Sequence, residues 1–160
     1  MELNDTTDYQ RCFACGQQNP YGLQMNFRLE GTSVVSDFQP RAEYQGFPGV
    51  IHGGIIATIF DEALNRTSML ADQPGWSMTG RLEIRYRRHV PYGPLLRVTG
   101  WLGQQRGRML QANGKLTLAD DESVVLAEAQ GTFMMLQPEM RNKLMQEYPG
   151  MRDFFEGDNV

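Results

Sequence analysis

Ile55, Ile56, Ile59, Phe60, Ala63 and Leu64 wrap much of a helical surface through two turns, a pattern that a stable helix shows only when it is enclosed. The spacing predicts this helix from about residue 53 to residue 71, ended by Pro74-Gly75. What encloses it has to be read from the flanking segments. Upstream, residues 23–29 and 32–38 read as two strands meeting at Glu30-Gly31, a hairpin signal. A loop over residues 40–49 leads to the helix. Downstream, Leu82, Ile84 and Tyr86 alternate strictly with Arg81, Glu83, Arg85 and Arg87, which predicts a half-buried strand. Residues 95–102, 109–118 and 124–136 read as three more strands, and their short connections make them antiparallel neighbours. Two strands, an enclosed helix and four antiparallel strands predict an α+β layer in which one sheet wraps a central helix.

The 160 residues fit one domain with a sizeable core. We divide the chain into an N-terminal segment over 1–22 carrying a Cys-x-x-Cys, a main domain over 23–136, and a C-terminal piece over 137–160. In that piece residues 137–148 suggest a small amphipathic helix using Met140, Leu144 and Tyr148, followed by a tail. Hydrophobic residues make up 41% and charged residues 21%, which argues against disorder.

The predicted helix opens on His52-Gly53-Gly54 and carries Asp61 where a core helix should hold no charge. Gly53 and Gly54 let a ligand approach the backbone, and a helix starting there aims unpaired N–H groups and its positive dipole end outward. Such an end suits an oxyanion or another anion. The same residues also fit a plain role, tight packing at the glycines and a solvated Asp61. Asp61 lies eight residues after Gly53, about 12 Å along a helix axis. A base and an oxyanion donor must both come within about 3 Å of the reacting group. If both serve one substrate, the simplest arrangement pairs Gly53 of one subunit with Asp61 of another, which predicts a homo-oligomer with equivalent sites across its interface.

The His-Gly-Gly run, the acid nine positions after the His, the preceding Phe47-Pro48-Gly49 and the upstream Cys12-Phe13-Ala14-Cys15-Gly16-Gln17-Gln18-Asn19-Pro20-Tyr21-Gly22-Leu23 together resemble hotdog-fold acyl-CoA thioesterases of the phenylacetate-pathway type. The resemblance covers about residues 12–136. It implies a hotdog fold, an antiparallel β-sheet around one long central α-helix, and hydrolysis of an acyl-CoA without metal or other cofactor. It implies Asp61 as general base or nucleophile and the Gly53 amide as oxyanion donor, in a dimer or a dimer of dimers. Thr79 stands where similar enzymes keep a hydroxyl that bonds water or substrate; a β-branched strand residue is the ordinary alternative. His52 fits either a proton shuttle or a ring that fixes the loop. Glu62, about 100° around the helix from Asp61, is a second choice for the acid. Several related enzymes place a polarising Asn six residues before the motif His; here Gly46 stands there, preceded by Gln45. We therefore include Gln45, Gly46, Gly54, Phe47 and Phe60 among the substrate-binding candidates, with Leu64 and Met69 as further lining.

Arg81, Arg85, Arg87 and Arg88 crowd one strand and Arg106 and Arg108 flank Gly107, so Arg81 and Arg88 in particular are candidates for coenzyme A phosphates, or else solvated strand residues. The net charge of −4 disfavours nucleic acid as a partner. No apolar run reaches the roughly 20 residues that cross a bilayer, so no membrane partner is expected. Residues 1–10 lack the apolar stretch of a secretory signal, and a cytoplasmic setting follows as the expectation. Cys12 and Cys15 lack the two further Cys or His ligands of a usual structural zinc site, and no strand-to-helix context supports a redox motif, so reduced, partly buried thiols are expected. Two other functions use the same features: a hydratase or dehydratase with a His as acid and base, and a non-catalytic acyl-CoA-binding module.

Overall fold

Gly31 (φ 61°) and Gly107 (φ 58°) occupy the left-handed region that hairpin turns demand, and each reverses the chain between paired strands. The computed structural model describes residues 8–72 and 74–149. In chain order the elements are β1 (Arg28–Glu30), β2 (Ser33–Phe38), α1 (Gly53–Asn65), β3 (Ser77–Tyr86), β4 (Leu96–Arg106), β5 (Met109–Leu118), β6 (Val125–Met135) and α2 (Pro138–Glu147). The six strands form one sheet in the order β1-β2-β4-β5-β6-β3, every neighbouring pair antiparallel. This is the α+β hotdog architecture expected from the sequence.

The sheet curls around α1. Ile56, Ile59, Phe60, Ala63 and Leu64 of the helix are buried against Leu96, Val98, Leu110, Ala112, Leu116 and Phe133 of the central strands. Burying a side chain of this size contributes about 1.5–3 kcal/mol, so this one seam supplies much of the driving force. It is close because of two glycines. Gly100 of β4 and Gly114 of β5 face each other in the ladder directly beneath the helix. A Cβ on Gly114 would lie 2.8 Å from Leu64 Cδ2 and 2.9 Å from the Thr99 carbonyl oxygen, and one on Gly100 would lie 3.0 Å from the Ala63 carbonyl oxygen. The helix therefore sits against bare backbone.

Enclosure is incomplete on one side. Gly54 is exposed and Ala57, Thr58 and Asp61, which follow at helical spacing, are only partly buried. The N-terminal loop covers another side, bringing Leu23 and Met25 into the core.

Three expectations change. The helix stops at Asn65, not near residue 71, and continues as a 3-10 turn, Arg66–Leu70. Its end is set by side chains that compete for backbone groups: Thr67 Oγ1 donates to the Leu64 carbonyl at 2.7 Å, and Asn65 Nδ2 donates to the Ser77 carbonyl at 3.0 Å. The first strand is only three residues long, because the Leu23 and Met25 amides pair instead with the Phe13 and Ala14 carbonyls at 2.7 and 2.9 Å, and Gln24 takes φ 51°. α2 forms and half-buries Leu144, but Met140 and, just past its end, Tyr148, the other two residues expected on its apolar face, stay 48% and 46% exposed. Most of the expected tail and the N-terminal residues 1–7 lie outside the described residues.

Gly114→Ala should destabilise the chain by about 1–3 kcal/mol in urea unfolding, the usual cost of overpacking. Gly103→Ala on the same strand layer is not an equivalent control; a solvent-facing change such as Gln130→Ala on β6 should stay within about 0.5 kcal/mol.

Candidate active site

His52 lies at the N-cap of α1, with φ −62° and ψ 137°, and its Nδ1 accepts the Gly54 amide at 3.0 Å. That bond satisfies one of the orphan donors of the first turn. The His52 amide donates to the Tyr44 carbonyl at 2.9 Å, and the ring sits over Gly46, where a Cβ would come within 3.3 Å of His52 Cδ2. Glycine at position 46 is what gives the ring its seat. His52 thus fixes the loop, one of its two expected roles.

With Gly54 occupied, the first-turn donor left over is the Gly53 amide, which has no acceptor among the described residues. The Gly53 carbonyl is held from the other side, accepting the Tyr86 hydroxyl at 3.0 Å. Tyr86, 51% exposed, was read only as part of an alternating strand. Nothing in the local sequence marks it; its role follows from the end of β3 reaching the start of α1.

Asp61 sits two turns further along α1, partly buried, and Oδ1 accepts the Thr79 hydroxyl at 2.7 Å. Thr79 is on β3 just before an irregularity in the β3–β6 ladder between Thr79 and Arg81. The spacing of eighteen residues is therefore bridged by the helix, the 3-10 turn and the return strand, and the two expected site residues do meet. The other Asp61 oxygen has no partner among the described residues. Glu62 points elsewhere, Oε1 accepting Arg66 Nε at 2.9 Å, and the Arg66 guanidinium lies 4.6 Å from the Phe27 ring centroid.

The remaining candidates divide. Gly53, Tyr86, Arg87, Arg88 and His89 line a shallow cleft of about 380 Å³ at the helix N-terminus, so Arg88 stands where an anionic ligand would reach the Gly53 amide. Arg81 is not there: it is exposed and paired with Glu83 at 2.8 Å. Phe60 and Leu64 are wholly buried beneath the helix and belong to the core, not to a pocket wall. Phe47 is 79% exposed, and Gln45 bridges to Ile51 in the loop before His52.

The two cysteines are free and partly buried, as expected. The Cys15 thiol donates to the Cys12 sulfur and, with backbone N–H groups of Cys15 and Ala14, lowers the Cys12 thiol to about 6 against burial and the Glu62 charge. The same bond, together with burial, pushes the Cys15 thiol up.

Residues 48–125 match the family model of the thioesterase superfamily. Mouse (Mus musculus) acyl-coenzyme A thioesterase THEM4 is 32% identical over 138 residues, a match taking in 86% of this chain and 57% of that protein. The chain spans about half the length of the curated relatives it matches. Among solved structures, the thioesterase superfamily protein RHA08564 superposes with a TM-score of 0.70 at 27% identity, over 84% of this chain and 66% of that one. The E. coli PaaI protein from the phenylacetic acid degradation operon, at 14% identity and a TM-score of 0.61, shares the fold.

His52→Ala should cost about 1 kcal/mol in urea unfolding, the loss of a helix cap, whereas His52→Asn, which retains a capping oxygen, should stay within a few tenths. Equal losses for both would remove the capping role.

Proposed function

We propose that this chain is a member of the thioesterase superfamily and hydrolyses an acyl-CoA thioester with Asp61 as its acid. The observation that carries the reading is the Asp61–Thr79 hydrogen bond at 2.7 Å, which fixes one carboxylate oxygen and leaves the other to act. In this reading the free oxygen takes a proton from water as that water attacks the thioester carbonyl carbon. The resulting oxyanion rests on the Gly53 amide and the dipole of α1, both preorganised by the His52 cap and the Tyr86 hydroxyl. Collapse of the tetrahedral intermediate breaks the C–S bond, and the departing thiolate recovers the proton from Asp61. Direct attack by Asp61, giving a mixed anhydride that water then opens, uses the same atoms.

The geometry within one chain supports a shared site. Gly53 and Asp61 are separated by two helical turns, and the partly exposed strip formed by Gly54, Ala57, Thr58 and Asp61 runs between them. A second copy covering this strip brings its own Gly53 to this Asp61, so the proposal includes a homodimer, alone or within a dimer of dimers. Arg88 beside Gly53 is then the residue that meets coenzyme phosphates, while Arg87 is paired with Glu128 at 2.6 Å. The proposal also includes a cytoplasmic setting, where thiols stay reduced. Among the described residues no helix is long and apolar enough to cross a membrane. A hydratase would ask His52 to move protons, and the engagement of its Nδ1 with the Gly54 amide speaks against that role.

Thiol release from short, medium and aryl acyl-CoAs tests the reading. Asp61→Asn should lower turnover about 10²-fold or more, the loss typical of a positioned base. Thr79→Val should lower it less, and Thr79→Ser should restore it. Unchanged hydrolysis in Asp61→Asn rejects this acid, and binding without hydrolysis by the wild type favours a non-catalytic module.

Subunit mixing tests the shared site separately. Gly53→Pro removes the amide proton and adds a ring at a first-turn position that tolerates proline after an extended His52, where a Cβ would lie at an ordinary 3.4 Å from the Tyr86 hydroxyl oxygen. Gly53→Pro and Asp61→Asn chains, each inactive alone, should regain about a quarter of wild-type turnover in a one-to-one mixture, since half the dimers are mixed and each then holds one intact site. No recovery places Gly53 and Asp61 in the same subunit's site or removes one of them.

A further inference from the structure

The face of α1 that carries Glu62, about 100° around the helix from Asp61, holds a cluster that the proposed hydrolysis does not use. Cys12 Sγ lies 3.9 Å from Glu62 Oε2, and the donor atoms of Cys12, Cys15 and Glu62 all lie within 4.8 Å of one another. The sequence offered only the two cysteines as candidate ligands, with no nearby histidine. Folding supplies the carboxylate from fifty residues away.

We propose that Cys12, Cys15 and Glu62 form a binding site for one zinc ion, clamping the N-terminal loop to α1.

Four features of the fold support it. First, a tetrahedral zinc with Zn–S bonds of about 2.3 Å sets its ligand atoms about 3.8 Å apart, so the existing cluster needs to contract by less than about 1 Å. Second, the loop turns tightly at the two cysteines: Gly16 closes the turn with its amide on the Cys12 carbonyl at 3.0 Å. A Cβ at Gly16 would fall 2.5 Å from the Cys12 nitrogen, so only glycine allows this closure. Third, Glu62 is already oriented as a ligand. Arg66 holds Oε1, leaving Oε2 toward the sulfurs, the outer-shell support that metal-bound carboxylates usually have. Fourth, the charges balance. Two thiolates and one carboxylate are offset by the dication and the Arg66 guanidinium.

The donor set selects the metal. Two sulfurs exclude magnesium and calcium, and the mixed sulfur and oxygen set with tetrahedral spacing suits zinc. Three protein ligands leave one position for water. Binding releases whatever thiol protons remain and forms no other product.

The proposal stands apart from the catalytic reading. The full chain, reduced and freed of metal, should retain one zinc per chain after incubation with zinc chloride and desalting, measured by elemental analysis. Cobalt in place of zinc should give the intense near-ultraviolet thiolate-to-metal absorption and the visible bands of a tetrahedral site. Cys12→Ser and Cys15→Ser should each lower zinc affinity at least about 100-fold, and Glu62→Gln about 10-fold or more, with circular dichroism unchanged. Zinc should raise the Tm of the wild type and not that of the Cys variants. A reduced wild type that retains no zinc overturns the proposal without any variant being made. So does zinc held equally by both Cys variants, while full retention by Glu62→Gln removes the third ligand. A chain that instead closes a Cys12–Cys15 disulfide in air, with no metal bound when reduced, makes the pair a redox element and rejects the metal site.

Discussion

Everything in this molecule is referenced to the seat of α1 on the sheet. Close packing requires backbone without side chains at the contact, and Gly100 and Gly114 provide it as a facing pair in adjacent strands. Once the helix is seated there, its register is fixed by Phe60 and Leu64 in the core beneath. A rigid helix then fixes every other azimuth. Asp61 faces the returning strand β3, Glu62 faces the N-terminal loop, and Gly53 faces the end of β3 through Tyr86. Two carboxylates adjacent in sequence are thereby delivered to two separate environments.

Those environments differ in kind. Asp61 meets a neutral hydroxyl, which orients a carboxylate without committing its charge to a cation. Glu62 meets a guanidinium that is itself stacked on an aromatic ring, an arrangement that spends the charge on structure. Beside Gly53, the N-cap histidine takes one amide and leaves its neighbour open, so capping and exposure of a donor are achieved by the same turn. Ion pairing, capping and unpaired polar groups are divided residue by residue along one helix.

Much of the fold was legible because it rests on periodicity. The alternation at Leu82, Ile84 and Tyr86 and the turn residues between strands identify the sheet, and the apolar surface of α1 identifies what the sheet encloses. Asp61 was legible as a charge on an otherwise apolar helix. Where the reading failed, pairing beyond the local window decided the outcome. The first strand is short because a loop ten residues upstream captures its amides, and the helix ends early because Thr67 and Asn65 satisfy distant or preceding backbone groups. Phe60 was read as pocket lining since no local signal separates a residue beneath a helix from one beside a ligand. Tyr86 and the Cys12–Glu62 contact depend wholly on tertiary register.

The strand order carries a consequence for how the chain is made. The meander β4, β5, β6 is contiguous in sequence, yet both of its flanks are closed by strands synthesised earlier, β2 on β4 and β3 on β6. At the pace of translation, β3 waits about 2–8 s for the 38 residues (125 − 86 − 1) that separate it from its partner. During that interval the central strands that cover α1, β4 and β5, are themselves being made. The most hydrophobic helix is thus made before the strands that bury it, and the meander serves as the template on which both earlier halves are gathered.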